Sequence, residues 1–516
     1  MHRSAGESSV VGIAAAESRL YYTGPVSKLT ALSVIISLSL PAIASLVTDM
    51  INETINIFFI GRLSNPELLS AIGIAISFMN VFFFSVLYGL ASSLETLCSQ
   101  AYGRHDNILC GLFLNKARVI FTICLLPFLI VIFYTEPILN FVGIDPLATA
   151  HTGSFVRLQI PFLFVYIQFD ITKRFLSAQN KFIIPTTVTI VTTVCHFIWD
   201  YIFIFYFGFG LNGVAIANGI TWTLDFVFIT GYIQFSGCCH DSWFFPNLQS
   251  FTNWIEVLRL AIPGAVTLIS EYLALELLSF EAGHLGIICL AANVSAQTLV
   301  SLIFMIPSGI ALTACVLVAM SIGASNIQNA ILYAKMSIIY QISLSGILLT
   351  AIVIFRKYIS FIFTNDEQVI NILSKVIPLI CIYEFCDGIQ GVASGILRGQ
   401  GDLRLTALGN LTAYYLILQP LALLFAFVLK LNIMGLWIGG ILGNLCLVIF
   451  YLLFLYKLNW ESLLLHEKNI SDDIPVSFLN ESIDYYTKLN LSLSCLFHER
   501  LHELKTIPEL KANEGK

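Results

Sequence analysis

Charge is the scarcest ingredient of this sequence. Only 11% of its 516 residues are Asp, Glu, Lys or Arg, against about a quarter in ordinary globular domains. That shortage excludes a chain facing water on all sides. The net charge of −6 is spread over termini and short loops, so no nucleic-acid partner is expected. The twelve Cys are scattered and form no CxxC pair, which excludes the usual zinc and redox frameworks. The adjacent Cys238 and Cys239 read as packing residues, and neither a metal nor a cofactor is expected. Residues 1–28 lack a basic segment leading into a cleavable apolar core, so no signal peptide is expected. A polytopic membrane enzyme would need a nucleophile, metal cluster or acid/base set facing water, and no GxSxG elbow or His cluster lies in the apolar runs. A channel would need repeated filter-like backbone sequence, which is also missing.

What is there is apolar. Hydrophobic residues make up 57% of the chain, with Phe alone counting 40. A bilayer crossing needs about 20 apolar residues, and such runs recur near 31–58, 69–97, 116–134, 155–177, 183–206, 213–235, 256–281, 287–313, 331–354, 369–394, 405–428 and 433–456. The expectation is an all-α, multi-pass membrane protein with about twelve spans, the bilayer its constant partner. The first two runs are long, and Pro41 marks a candidate kink in the first. With an even number of spans and a cytoplasmic start, Arg104, Lys181, Arg259, Lys335 and Arg404 fall on the inner side. Arg62, Arg157, Arg356, Lys357 and Lys430 fall on the outer side. The larger inner count, to which Lys116, Arg118, Lys173, Arg174 and Arg398 add, places both termini in the cytoplasm.

The chain repeats itself about 220 residues on. Tyr88–Gly103 matches Ser308–Gly323, Leu176/Gln179 match Leu397/Gln400, Ile160-Pro161 match Ile377-Pro378, and Gly213-Val214 match Gly435-Leu436. Six spans per copy make the repeats parallel rather than inverted. The expected organisation is a cytoplasmic segment 1–28, an N-lobe 29–235 and a linker 236–255 along the inner surface. A C-lobe 256–457 and a cytoplasmic tail 458–516 follow. Trp243, Phe244, Phe245 and Trp254 of the linker suit the headgroup zone. Asn469, Asn480 and Asn490 head glycosylation patterns that a cytoplasmic tail leaves unused.

Duplicated bundles with ionisable groups at membrane depth are the signature of secondary transporters. A carboxylate at the bilayer centre costs on the order of 2.5–3.5 kcal/mol on insertion scales. Glu271 and Glu276 in the seventh run and Asp387 in the tenth are therefore kept for pairing, protonation or function. Burial favours the neutral form of a carboxylic acid, so such a group can load a proton on one side and release it on the other. Glu271 and Glu276 lie about 140° apart around a helix of 3.6 residues per turn, so both cannot point at one small site. Glu281 and Glu384 read as lying near span ends, where water reaches them. In the first half, Asp49, Asn52, Glu53 and Asn56 share a helical face, as do His196 and Asp200. These read either as a second cation site or as an interhelical hydrogen-bond network. Asp170 and Lys173 are expected to pair with each other or a neighbour, and Arg398 to face the inner rim. Tyr272 and Tyr383 flank the acids and are candidates to line a substrate cleft by cation–π contact.

Leu94-Glu-Thr-Leu-Cys-Ser-Gln-Ala-Tyr-Gly103, Arg174-Phe-Leu-Ser-Ala-Gln179, Leu260-Ala-Ile-Pro263 with Glu271, Gly395-Ile-Leu-Arg-Gly-Gln-Gly401, Tyr414-Tyr415…Pro420 and Gly435-Leu-Trp-Ile-Gly439 stand in order across about 60–457. In these motifs the chain resembles the multidrug and toxic compound extrusion (MATE) family, its eukaryotic branch in particular. The resemblance implies two six-helix lobes around a central cleft. It also implies export of organic cations, drugs or other small organic molecules, driven by H⁺ or Na⁺. It puts Glu271 and Asp387 on the C-lobe positions that bind the coupling proton in eukaryotic relatives. It aligns His196 and Asp200 with the Asn…Asp pair of the prokaryotic first-lobe cation site, whose helix-one aspartate is here Asn56. Leu317 stands where the family usually has Arg, and Thr298 where some animal members have an acid. With only Asp200 left as a matching first-lobe acid, coupling by protons through Glu271, Asp387 and Glu276 is expected, with Asp200, His196 and Asn56 a secondary set.

The expected function is therefore a monomeric proton/organic-substrate antiporter, with Na⁺ the weaker choice of ion, in the plasma membrane or a vacuolar or other endomembrane. The rival within the same wider superfamily is a flippase for a lipid-linked headgroup. A flippase would line its cleft with several Arg or Lys to hold phosphate, and the spans offer almost none away from their inner ends.

Overall fold

In the computed structural model, described for residues 24–63, 65–363 and 366–461, twelve helices are long and apolar enough to cross a membrane. They are α1 (Lys28–Gly61), α2 (Pro66–Gly103), α3 (Asn107–Phe133), α4 (Pro146–Ser177), α5 (Ile183–Tyr206) and α6 (Leu211–Ser236). The second half supplies α7 (Ile255–His284), α8 (Ile287–Gly323), α9 (Ile327–Ile354), α10 (Glu367–Gln400), α11 (Leu403–Val428) and α12 (Ile433–Lys457). No strand occurs among the described residues. The fold is thus an all-α membrane architecture.

The duplication extends to local backbone chemistry. Asp106 caps α3 by accepting from the Leu109 amide, and Asn326 caps α9 by accepting from Asn329. Each short polar side chain satisfies an amide that a helix start leaves unpaired. His105 and Ser325, just before these caps, both take positive φ. Asp145 and Asp366 cap α4 and α10 in the same way. The last turns of α5 and α11 widen into π-helix at Ile202–Tyr206 and Leu424–Val428. α2 and α8, of 38 and 37 residues, far exceed the roughly 20 needed to cross a bilayer. Their C-terminal ends meet: a methyl at Gly103 would sit 2.2 Å from the Met320 carbonyl oxygen, and one at Gly323 would sit 2.1 Å from that of Gln100. Only glycine lets these two backbones touch.

Each lobe has its own apolar core. In the first lobe it is built around Phe83, Phe113, Phe121 and Phe175, and in the second around Leu373, Ile377, Ile380 and Trp437. Val257, Ala261 and Ala265 at the start of α7 belong to the first-lobe core, so α7 leans on both lobes.

The linker runs from Gly237 to the start of α7 and includes a short 3-10 turn at Leu248–Phe251. Phe245 is 90% exposed, as a membrane-surface residue would be. Trp243 departs from the headgroup expectation. It stacks under the Arg118 guanidinium at 4.7 Å and beside Phe175, because a cation held in an apolar bundle gains from an aromatic face. The cysteine pair is also more than filler. Cys239 is buried and Cys238 half-buried, with their sulfurs 3.7 Å apart. Lys181 Nζ lies 3.2 Å from Cys239 Sγ and 2.7 Å from the Cys238 carbonyl. The N-terminal segment before Gly24 and the tail beyond Glu461, with its three Asn sequons, lie outside the described residues. So does His498-Glu-Arg-Leu-His502, an HExxH spacing in the sequence of that tail.

The Cys239 thiol beside it, with help from the Lys181 charge, holds the Cys238 thiol below the ordinary thiol range, while Cys239 is pushed up. A lowered thiol is already thiolate, and so reactive, at neutral pH. A charged maleimide should therefore label Cys238 before the other cysteines at pH 7. Lys181→Met should move the labelling curve to higher pH. Identical curves for the two proteins would show that the Lys181 charge has no such effect.

Candidate functional site

Water is absent from the bilayer core, so each charge carried there must find a partner inside the protein. Three polar constellations answer that requirement. The first joins the lobes. Glu95 on α2, 1% exposed, is bonded by Arg174 Nη1 of α4, and its other oxygen lies 3.8 Å from Arg398 Nη1 of α10. Arg174 also donates to Asp170 at 2.8 Å. Beside this chain the Thr96 hydroxyl donates to the Arg398 carbonyl at 2.8 Å, and Gln100 Nε2 to the Gly399 carbonyl at 3.2 Å. Arg398 is thus more than a rim residue: it ties the second lobe to a first-lobe carboxylate. Of the Asp170/Lys173 pair, each takes another partner, Lys173 bonding Asp49 of α1 at 2.6 Å.

The second constellation is the acidic pair of the second lobe. Asp387 is buried in α10, and its Oδ1 accepts from Asn444 Nδ2 of α12 at 2.8 Å and Gln390 Nε2 at 3.1 Å. Two amide donors on one oxygen suit a carboxylate, which accepts and never donates when ionised. Glu271 lies deep in α7 yet keeps some accessible surface, so it borders internal space. Asp387 and Arg398 are the charged groups within electrostatic reach of it. Glu276, as its helical angle requires, turns elsewhere, toward Ser77 of α2. The aromatic pair also divides. Tyr272 lies near Glu53 and Arg174 of the first lobe, on the boundary between lobes. Tyr383 is buried, edge-on against Trp437 with centroids 5.3 Å apart, and in this conformation it packs rather than lines open space.

Glu384 requires a correction. It does not lie at a wetted span end: it is 1% exposed, and neither carboxylate oxygen has a hydrogen-bond partner. The physical reason is position and packing: the run expected to end near 394 already has Glu384 ten residues inside it, and in α10, which extends to Gln400, the residue faces neighbouring helices rather than water. Glu281 is half-buried.

The third constellation lies in the first lobe. His196 Nε2 is 3.0 Å from Asn56 Oδ1 and 3.5 Å from Asp200 Oδ2, and its Nδ1 is 2.8 Å from Thr221 Oγ1. Asn56 Nδ2 in turn donates to Asn218 Oδ1 at 3.1 Å. The fold therefore brings Asn56, His196 and Asp200 together. Sequence reasoning missed Thr221 and Asn218, along with Asp225, whose carboxylate accepts from the Thr192 hydroxyl at 2.5 Å. All three lie on α6, whose apolar residues hide a polar face; an i, i+3/i+4 count over 218, 221 and 225 is the signal that finds it. Among the described residues, no three of His, Cys, Asp and Glu are grouped to hold a metal ion.

Comparisons with known proteins agree with this layout. A family model described as MatE matches twice, at residues 41–202 and 263–424. Protein DETOXIFICATION 16 of Arabidopsis thaliana is 31% identical over 409 residues, covering 78% of this chain and 83% of that protein. Multidrug and toxin extrusion protein 1 of Mus musculus is 30% identical over 422 residues, covering 82% and 74%. The crystal structure of the eukaryotic transporter AtDTX14 superposes with a TM-score of 0.80 at 27% identity, over 85% of this chain and 98% of that one.

Cys315, buried on α8, lies within reach of Glu95, Thr96 and Arg398, so it reports on the ionic chain. Glu95→Gln leaves two guanidinium groups facing a neutral amide, and breaking a buried pair costs about 3–5 kcal/mol. With the other cysteines replaced, Cys315 in Glu95→Gln should react with a permeant maleimide at least ~10-fold faster, since 1.4 kcal/mol is one decade. An unchanged rate would show that the chain does not hold this end shut.

Proposed function

The chain belongs to the MATE family of membrane transporters, and from that premise we propose that it exports organic cations or similar small molecules in exchange for protons bound at Glu271 and Asp387. It is a multi-pass membrane transporter and not an enzyme. The observation that carries the ion assignment is that these two deep second-lobe acids lie within electrostatic reach of each other, with Arg398 also in reach of Glu271 and two amides cradling Asp387. Two carboxylates so close resist being charged together. Either a proton or an organic cation relieves that repulsion, so each displaces the other. Glu276 stands on the same helix toward the first lobe and takes part in the handover. Tyr272, at the lobe boundary, offers an aromatic face to a cation on its way.

Asp200, His196 and Asn56 form the secondary set. Both ring nitrogens of His196 are engaged, by Thr221 and Asn56, with Asp200 3.5 Å away. An imidazole that became cationic there would repel Na⁺, so the set tunes the first lobe rather than carrying the driving ion. Against the flippase reading stands the commitment of the deep basic side chains. Lys173 is neutralised by Asp49, Arg174 by Asp170 and Glu95, and Arg398 by Glu95. None of the three is left to bind a phosphate. The Lys/Arg asymmetry supports cytoplasmic termini, in the plasma membrane or an endomembrane.

Glu271→Gln and Asp387→Asn should each lower pH-gradient-driven transport of an organic cation at least ~100-fold, about 2.7 kcal/mol, while the purified proteins remain folded. Near-normal transport by both would remove the pair from the mechanism.

Asp200→Asn should behave differently, reducing the rate several-fold but keeping the dependence on the pH gradient. Loss of that dependence in Asp200→Asn, with its retention in Glu271→Gln, would move coupling to the first lobe.

A further inference from the structure

Glu384 is a buried acid of the second lobe that the exchange described above does not use. It sits in mid-α10, both oxygens buried, and makes no hydrogen bond or ion pair among the described residues. It stands three residues before Asp387, on the same side of the helix. The ionisable groups within electrostatic reach of it are Asp387, Cys381 and Tyr383 on its own helix and Glu271 on α7. One turn further along α10, Gly388 leaves room for the Gln341 side chain of α9, whose Oε1 also has no hydrogen-bond partner. No basic residue is among these neighbours.

Such a site cannot hold a bare carboxylate while the lobe is closed, because an unpaired buried charge is strongly disfavoured. It holds a carboxylic acid, and that acid gives no stabilising contact in return. Glutamine would fill the same volume without the ionisable group. What the carboxyl adds is a proton that can leave. Its departure is governed by the charge on Asp387 and Glu271, since acids this close titrate as a set rather than one by one. When an organic cation occupies the pair, its positive charge favours ionisation of a third acid nearby. When the pair is protonated and the cation gone, no counter-charge remains and Glu384 keeps its proton.

We propose that Glu384 is a second proton-carrying site of the transport cycle, so that each exported cation is exchanged for one more proton than Glu271 and Asp387 alone would bind. The inference rests on the proton-exchange reading above. The step is a plain acid dissociation. The O–H bond of Glu384 breaks, the proton passes to water on the side to which the lobe is open, and the carboxylate is reprotonated from the opposite side.

The test is stoichiometry at equilibrium. Proteoliposomes are clamped at zero membrane potential, and the accumulation of ethidium, a planar fluorescent cation, is plotted logarithmically against the imposed pH difference. The slope is the proton count. Wild type should give a slope of about two, Glu384→Gln about one with transport retained, and Glu384→Asp about two again. Equal slopes in wild type and Glu384→Gln overturn the proposal. A wild type in which the pH gradient moves no ethidium overturns the proton–cation reading, and this inference with it. Should Glu384→Gln fail to transport, potentiometric titration of the folded protein in saturating ethidium decides the matter. One proton fewer than wild type released between about pH 5 and 9 supports the proposal, and an equal release overturns it.

Discussion

Glu95 carries a negative charge where no water can reach it, and the way that charge is neutralised shapes the molecule. Arg174 comes from its own lobe and Arg398 from the other, so the neutral arrangement exists only while the lobes touch. Around it the contact is closed by backbone rather than by bulk. Thr96 and Gln100 reach the last-turn carbonyls of α10, and the glycines at 103 and 323 let α2 and α8 meet without side chains between them. A hydrophobic seal of the same area would be indifferent to charge. This one is not, because Arg398 is also within electrostatic reach of Glu271. A proton arriving at Glu271 therefore changes what Arg398 is attracted to. That links the proposed ion-binding acid to the contact between α2, α8 and α10.

The acids sort themselves by the company they keep. Asp387 is cradled by two amide donors and suits a charge. Asp49 is matched by Lys173, and Asp170 by Arg174. Asp225 has only the Thr192 hydroxyl, while Glu384 has no hydrogen bond at all. Hydrogen bonds to the ionised form stabilise it, and apolar burial opposes it. A single fold thus holds carboxyl groups ready for opposite protonation states, which is what exchange of protons for a cation requires.

Much of this was legible in the sequence because it follows from local pattern. The twelve apolar runs fall on the twelve helices, with differences confined mostly to the ends. α2 and α8 run well past the expected 97 and 313, to Gly103 and Gly323, because a helix continues into protein after the apolar stretch stops. The repeat was visible in Gly, Pro and Gln landmarks, and the backbone keeps it in caps and left-handed turns such as His105 and Ser325. The angle between Glu271 and Glu276 follows from 3.6 residues per turn, and the two side chains do diverge. Partner choice was not legible. Nothing local says that Lys173 chooses Asp49 over Asp170, or that Glu95 draws in an arginine some 300 residues away, since both depend on which helices pack together. Glu384 was misjudged because it was read as lying near a span end although it stands in the middle of its run, and its burial depends on which helices pack against that face of α10. The polar face of α6 was overlooked because apolar residues outnumber Asn218, Thr221 and Asp225 along it.

The central claim is that a proton and an organic cation compete for the Glu271–Asp387 pair. It is tested most directly without any membrane gradient. Ethidium is added to purified protein in weak buffer near pH 7, and binding and proton release are followed together. The account predicts that the medium acidifies in proportion to the cation bound, and that Glu271→Gln and Asp387→Asn bind less and release correspondingly fewer protons. Cation binding to the wild type with no release of protons would contradict it.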